Sequence, residues 1–237
     1  MNRRRVAALL LSALVLVWSG AGCGGAERGN AGTARLWITR NRGTALVLET
    51  TVPAGQTLMR ALRSRAKVET RYGGRFVEAI DGVRGSLSAR HDWFWFVNGL
   101  AGDTSAAEYR LRAGDVAWWD YRDWSADPEL AVVVGAFPEP FLHGYHGHVR
   151  QVAVRYAPGL RPAAERIGRR LHAAKVARLG TPVPADESLF TLIGGRARFT
   201  ADLRFPGSGP GTPVVVTFSG DVSALLRGAY ARRFAVP

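Results

Sequence analysis

Five of the seven tryptophans of this 237-residue chain fall between Trp93 and Trp124, in HDWFWFVNGL and EYRLRAGDVAWWDYRDW. Rings of this size must either be buried or form a binding surface, so the stretch limits what the chain can fold into. If each segment is a strand, side chains alternate between two faces. Trp93, Trp95 and Val97 then share one face, and Phe94, Phe96 and Asn98 the other. On the second strand Trp118 and Asp120 share a face, opposite Trp119 and Tyr121. A small antiparallel sheet commonly leaves one face to water, yet here both faces are aromatic. One set of rings must fill the core beneath a helix. The other is either an exposed aromatic platform or lies under the C-terminal half of the chain. Trp93, Trp95, Asn98, Trp118, Trp119 and Tyr121 are therefore the candidate ligand-binding residues. Indole and phenol surfaces suit flat, partly apolar ligands such as a macrocycle, a sugar ring or a peptide. Asn98-Gly99 and Gly114-Asp115 read as turns, and turns at a sheet end often line sites.

The segments around this stretch supply the rest of a small domain. Leu36 to Arg40 and Thr44 to Thr51 are β-branched and alternating, and Asn41-Arg42-Gly43 joins them as a hairpin. Val52-Pro53-Ala54-Gly55 breaks the second strand. Gln56 to Arg65 places Leu58, Met59 and Leu62 on one helical face. Strands are predicted at Val68 to Tyr72, Arg75 to Ile80, Trp93 to Val97, Tyr109 to Leu111 and Val116 to Tyr121, with Gly73-Gly74 and Asp81-Gly82 as turns.

A hairpin, one helix and further strands is the order of a β-grasp domain. GQTLMRAL, FVEAIDGV, WFWFVNG and YRLRAGDVAWWDY resemble the transcobalamin-like C-terminal domain family over residues 35–124. The resemblance implies a β-grasp fold and, in the transcobalamin group, a role in enclosing a corrinoid. A cobalamin-like macrocycle is therefore the ligand it implies, and no other cofactor is required. The chain lacks the large helical domain that covers the corrinoid's other side in that group.

The start of the chain reads as delivery apparatus. Arg3, Arg4 and Arg5 precede an apolar run from Val6 to Trp18 and the small residues Ser19 to Gly22, the pattern of a secretory signal peptide. The run is too short to span a bilayer. Cys23, the only cysteine, cannot form an internal disulfide. Gly20-Ala21-Gly22-Cys23 resembles a bacterial lipobox, although Gly20 stands where an aliphatic residue is usual. The resemblance implies cleavage before Cys23, acylation of Cys23, and anchoring to the outer face of the cytoplasmic membrane rather than spanning. Residues 24–34 then form a flexible tether.

Residues 130–237 are expected to form a second, basic α/β module. They carry 14 of the basic residues and six of the acidic ones in a chain of net charge +13. Strands are predicted at Leu130 to Val134, Val149 to Tyr156, Leu189 to Ile193, Arg196 to Phe205 and Val214 to Phe218. A long helix is expected over Pro158 to Leu179, with an apolar stripe of Leu160, Ala164, Ile167, Leu171 and Ala174 and a basic outer face. Asp221 can cap a final helix over Val222 to Arg233. HGYHGH places His143, His146 and His148 in a Gly-rich loop. These are weak candidates for a metal, because no cysteine and only Glu139 stand near enough in sequence to complete a set. PGSGPG at 206–211 lacks the Lys-Ser/Thr of a phosphate loop.

The sequence contains no nucleophile elbow, no H-E-x-x-H and no available catalytic cysteine, so no catalytic residue is proposed. The fold class expected is α+β. The function expected is that of an exported, membrane-anchored, non-enzymatic binding lipoprotein with a small-molecule or extended ligand. The alternative is an envelope interaction protein whose basic half contacts anionic wall polymer, lipid or a protein partner. Export makes nucleic acid the least suitable partner.

Overall fold

The structure, a computed structural model, describes residues 32–237. Cys23, the signal peptide and most of the tether lie outside that range. The chain is a mixed α+β protein of several small sheets.

The first sheet begins with a hairpin, β1 (Thr33–Arg40) and β2 (Ala45–Pro53), paired antiparallel with a bulge at Ile38/Thr39. Asn41, Arg42 and Gly43 all have positive φ in the turn. Only glycine fits at 43, because a Cβ there would lie 1.6 Å from the Arg232 carbonyl oxygen. The chain then forms α1 (Leu58–Arg63), whose N-cap Thr57 accepts the Arg60 N–H at 3.2 Å. Leu58, Met59, Ala61 and Leu62 are buried, so this short helix is held by packing rather than by length. A three-stranded sheet follows, from β3 (Val68–Arg71), β4 (Phe76–Ile80) and β5 (Val83–Arg84). The two aromatic segments become β6 (His91–Val97) and β8 (Val116–Asp123), with β7 (Leu100–Ala101) paired to the end of β6. The strand order is β2-β1-β8-β6-β7, with β1 parallel to β8 and β6 antiparallel to it. This is the β-grasp arrangement expected from the sequence. Tyr109 to Leu111, predicted as a strand, contributes only an isolated bridge between Arg110 and Thr57.

The second sheet runs β10-β9-β11-β13-β12. Its central strands are β9 (Val152–Tyr156) and β11 (Ser188–Ile193), flanked by β10 (Lys175–Arg178) and β13 (Val214–Ser219) in parallel, with β12 (Arg198–Leu203) antiparallel at the edge. Every residue of β9 is buried, as befits a parallel strand covered on both sides. Two helices, α2 (Arg161–Arg170) and α3 (Val222–Leu226), complete this part, and the Asp221 carboxylate caps α3 through the Ser223 N–H at 2.7 Å.

Three expectations are corrected here. The long helix over 158–179 is α2 alone, ending at Arg170, and Lys175–Arg178 is an edge strand. Leu130 to Val134 is not a strand. It makes one bridge, Val132 to Leu100, and then a 3-10 turn over Val134–Ala136. It is apolar because it covers the outer face of the first sheet. The final helix stops at Leu226, and the chain returns to the first sheet. There Phe234 inserts edge-on against Trp118, ring centroids 5.0 Å apart.

Candidate functional site

The two faces of the first sheet are filled by different parts of the chain. Trp93, Val97 and Trp119 join Leu36, Ile38, Leu58 and Leu62 in the core beneath α1. On the other face Trp37, Phe96 and Trp118 pack with Val133, Ala136 and Phe234. Among the described residues these rings therefore form no exposed aromatic platform. Trp118 has 0% of its surface accessible and Trp119 1%. Of the two arrangements the sequence left open, the covered one is present, because the 130–136 segment and the C-terminal tail close the second face.

Several predicted site residues have structural work instead. The Trp118 Nε1–H donates to Thr39 Oγ1 at 2.7 Å, and the Thr39 hydroxyl donates to Asp120 at 2.5 Å. Asp120 also accepts the Arg42 and Gly43 N–H groups, which fixes the β1–β2 turn. Burial pushes its carboxyl pKa up, while the Thr39 hydroxyl and these N–H groups pull it down. Asn98 is wholly buried at positive φ. Its side chain donates to Asp115 and to the Gly144 carbonyl, and accepts the Val116 N–H, all at 2.7–2.8 Å. Tyr121 is half-buried, packs on Trp93 at 5.3 Å and donates its hydroxyl to the Arg84 carbonyl at 3.1 Å.

The histidine loop docks on the same turns. His143 Nδ1 bonds Glu139 at 2.7 Å, and His146 stacks on Tyr109 at 4.4 Å. Burial raises the Glu139 pKa, and His143 opposes that shift. His148 is exposed. Among the described residues, no group of three or more His, Cys, Asp or Glu side chains is placed to hold a metal ion. The His143 and His146 imidazoles serve separate contacts.

What remains is a cavity of about 480 Å³ at the free side of β6. Trp93, Trp95 and Trp119 form part of its wall; Asn98, Trp118 and Tyr121 do not. The opposite wall comes from the second sheet's β12–β13 connection, Ser208 to Pro210, and from Pro128 to Ala131. Gly102 permits this shape, since a Cβ there would overlap the Trp95 ring at 2.0 Å.

The sequence reading missed the fully buried charged residue of the cavity. Arg122 lines the cavity with 1% of its surface accessible. Its guanidinium lies 4.2 Å over the Phe94 ring and donates to the Asp127 carbonyl at 2.8 Å. Its Nε has no hydrogen-bond partner, and it makes no ion pair among the described residues. Burial, then the nearby Arg42, lower its pKa from the usual arginine value, while the Asp127, Asp120 and Asp123 carboxylates oppose that shift. Trp119, which lines the cavity from the other face of the sheet, also has a buried donor without a partner in its Nε1. The signal available in the sequence was the alternation of β8, which puts Arg122 beside Phe94 on one face.

Comparison with known proteins places residues 55–123 in a match to a family described as a domain of unknown function (DUF4430). The matched segment runs from the start of α1 through β8, so it contains β6 and its cavity wall. No curated protein matches the chain. Among solved structures, a candidate metal binding protein from Ruminococcus gnavus is 20% identical, with a TM-score of 0.33, covering 39% of this chain and 97% of that one. Haptocorrin in complex with Cbi is 15% identical, with a TM-score of 0.32; the match covers 38% of this chain and 25% of haptocorrin.

Proposed function

We propose that the protein is an extracytoplasmic lipoprotein, held to the outer face of the cytoplasmic membrane by a lipid on Cys23. In this reading it binds a small or extended, partly apolar ligand in the cavity beside β6 and does not transform it. The observation that carries the reading is one cavity lined by both indole surfaces and a buried guanidinium without an ion pair among the described residues. Ligand sites are preformed, mostly apolar cavities of roughly 300–1,000 Å³ with a few placed polar groups, and this one fits that description. Asp127, Asp120 and Asp123 lie near enough to favour the Arg122 charge but none forms an ion pair with it, so a buried cation is left that a ligand acceptor can complete. The ligand accordingly combines a flat or apolar body with an acceptor or anionic group. A corrinoid-type macrocycle, the ligand implied by the sequence resemblance, belongs in the test panel.

The test is a fluorescence titration of the mature chain with 8-anilinonaphthalene-1-sulfonate and, separately, with a corrinoid. One-site saturable binding of the sulfonate probe is expected. Thr104 is exposed on the cavity wall, so Thr104→Trp fills the space without disturbing the core and should abolish binding. Absence of saturable binding, or binding unchanged in Thr104→Trp, contradicts the reading.

A second reading keeps one observation of its own. Arg166, Arg169 and Arg170 are exposed on α2, facing away from the buried Ala164 and Ile167. That face suits an anionic wall polymer or headgroup surface.

A further inference from the structure

The backbone of β6 carries a more specific statement about the ligand. Residues of β6 alternate between facing β8 and facing the cavity side of the sheet. Asn98 N–H bonds the Val116 carbonyl and Trp124 N–H bonds the Arg90 carbonyl, so the even-numbered residues face β8. The odd-numbered residues face outward. His91 is satisfied on that side by Ser86, through both its N–H and its carbonyl. The Trp95 carbonyl accepts the Gly102 N–H at 3.2 Å. The Trp93 N–H donates to the Asp92 carboxylate at 2.8 Å. Neither the ladders of β6 with β7 and β8 nor the turn and loop hydrogen bonds of the described residues engage the Trp93 carbonyl or the Trp95 N–H. Unpaired strand edges of this kind are templates for another strand.

The pair also favours a direction. An antiparallel partner would meet the two groups with two different residues and leave each pairing half made, because the Trp93 N–H and the Trp95 carbonyl are engaged elsewhere. A parallel partner needs the carbonyl of residue i−1 and the N–H of residue i+1. With i at Phe94 those are the two free groups. The incoming residue opposite Phe94 would donate its N–H to Trp93 and accept the N–H of Trp95. Its side chain would lie on the Phe94 face, beside the ring that the Arg122 guanidinium covers. Its two neighbours would point to the other face, among Trp93, Trp95 and Trp119. The open edge lies between the pairings at His91 and Trp95, which leaves room for about three extended residues at ~3.3 Å each.

Charge selects the central residue. Asp92, Asp103, Glu129 and Arg75 also line the cavity. Asp92 is engaged by the Trp93 N–H, Asp103 by the Tyr145 hydroxyl, and Arg75 by Glu108. Glu129 is exposed at the rim. Arg122 alone among these charged groups is fully buried, and it makes no ion pair.

We propose that the open edge of β6 takes a short extended peptide in parallel register. In this arrangement an apolar–acidic–apolar triplet is bound, with the acidic residue opposite Phe94 and its carboxylate on Arg122. The proposal rests on the cavity beside β6 being a ligand site, and it names the class of that ligand.

Changes to the ligand test it without risk to the fold. The probes are acetyl-Leu-Glu-Leu-amide, its Glu→Gln analogue, and the analogue N-methylated at Glu, each titrated against the full mature chain alongside 8-anilinonaphthalene-1-sulfonate. The parent peptide should bind and displace the sulfonate. The Gln analogue should bind at least about tenfold more weakly, as loss of a charge-assisted bond implies. The N-methyl analogue, which cannot donate to Trp93, should not bind measurably. Equal binding of the N-methyl analogue overturns the parallel strand addition, and equal binding of the Gln analogue overturns the Arg122 contact. If the sulfonate binds and no peptide competes, the inference fails while the ligand-site reading stands. If neither binds, both fail.

Discussion

At the scale of single residues, Arg122 is a buried cation that donates to the Asp127 carbonyl and lies over the Phe94 ring. Arg122→Met removes both contacts and should cost about 1–2 kcal/mol, while weakening the anionic sulfonate probe about tenfold. Chemical denaturation and the titration together check this; a loss of several kcal/mol would make Arg122 a structural residue instead. Asn98 is the converse. It was a candidate for ligand contact, yet it satisfies three buried groups of two turns and the histidine loop. Asn98→Ala should cost about 2–3 kcal/mol, because those groups lose their partner, with probe affinity unchanged in the folded fraction. Asp92 supplies a pH dependence. Burial raises its folded pKa, with the Trp93 N–H and Arg71 opposing. A raised carboxyl favours the folded state below its unfolded value near pH 4, and that contribution is lost as pH rises through the folded pKa. Asp92→Asn removes this loss and keeps an acceptor for Trp93. The melting-temperature advantage of Asp92→Asn over the parent should therefore grow from pH 4 to pH 7. A gap that narrows over that range contradicts the assignment.

At the scale of elements, the β-grasp half was readable because its signals are local. The Asn-Arg-Gly turn, the Leu58–Leu62 helical face and the period-two alternation of β6 and β8 each occupy a few adjacent residues. The second half was read less well for a physical reason. The apolar stripe Leu160, Ala164, Ile167, Leu171 is a true helix face, and Ala174 continues its period by chance. The helix instead ends with His172 at positive φ, and Gly168 lets β10 approach so closely that a Cβ there would lie 2.5 Å from Val176. A four-residue edge strand leaves no periodic trace in the sequence. Likewise Leu130 to Ala136 is hydrophobic as a cover, which composition cannot distinguish from a strand. The site was half legible. Trp93, Trp95 and Trp119 lie on its wall, while Asn98, Trp118 and Tyr121 do not. What hid this was the C-terminal tail, since contact between Phe234 and Trp118 spans more than 100 residues of chain. Phe234→Ala should destabilise by about 3 kcal/mol, in the usual range for a buried phenylalanine. It should also open the Trp37–Trp118 face to quenching by iodide. Stability within error of the parent would mean that the tail does not cover that face.

For the whole molecule, the two five-stranded sheets divide the tasks. The first supplies the β6 edge and the aromatic wall, and the second closes the cavity with its β12–β13 connection while carrying most of the positive charge. If the exposed arginines of α2 serve an anionic surface, retention on phosphocellulose should fall steeply between roughly 0.05 and 0.5 M salt, as screening requires. It should also fall in an Arg166/Arg169/Arg170→Gln triple variant; retention indifferent to both would remove that reading. Anchoring is tested apart from either, by incorporation of labelled palmitate in cells. Label should be present in the parent chain and absent from Cys23→Ser. The central claim is the location of the ligand site. It is read most directly from the indole N–H resonances of ¹⁵N-labelled protein during titration with 8-anilinonaphthalene-1-sulfonate. The account predicts shifts of the Trp95 and Trp119 signals at one-to-one stoichiometry, with Trp37 and Trp118 unmoved behind Phe234. Shifts confined to Trp37 and Trp118, or no shift at saturating probe, would contradict it.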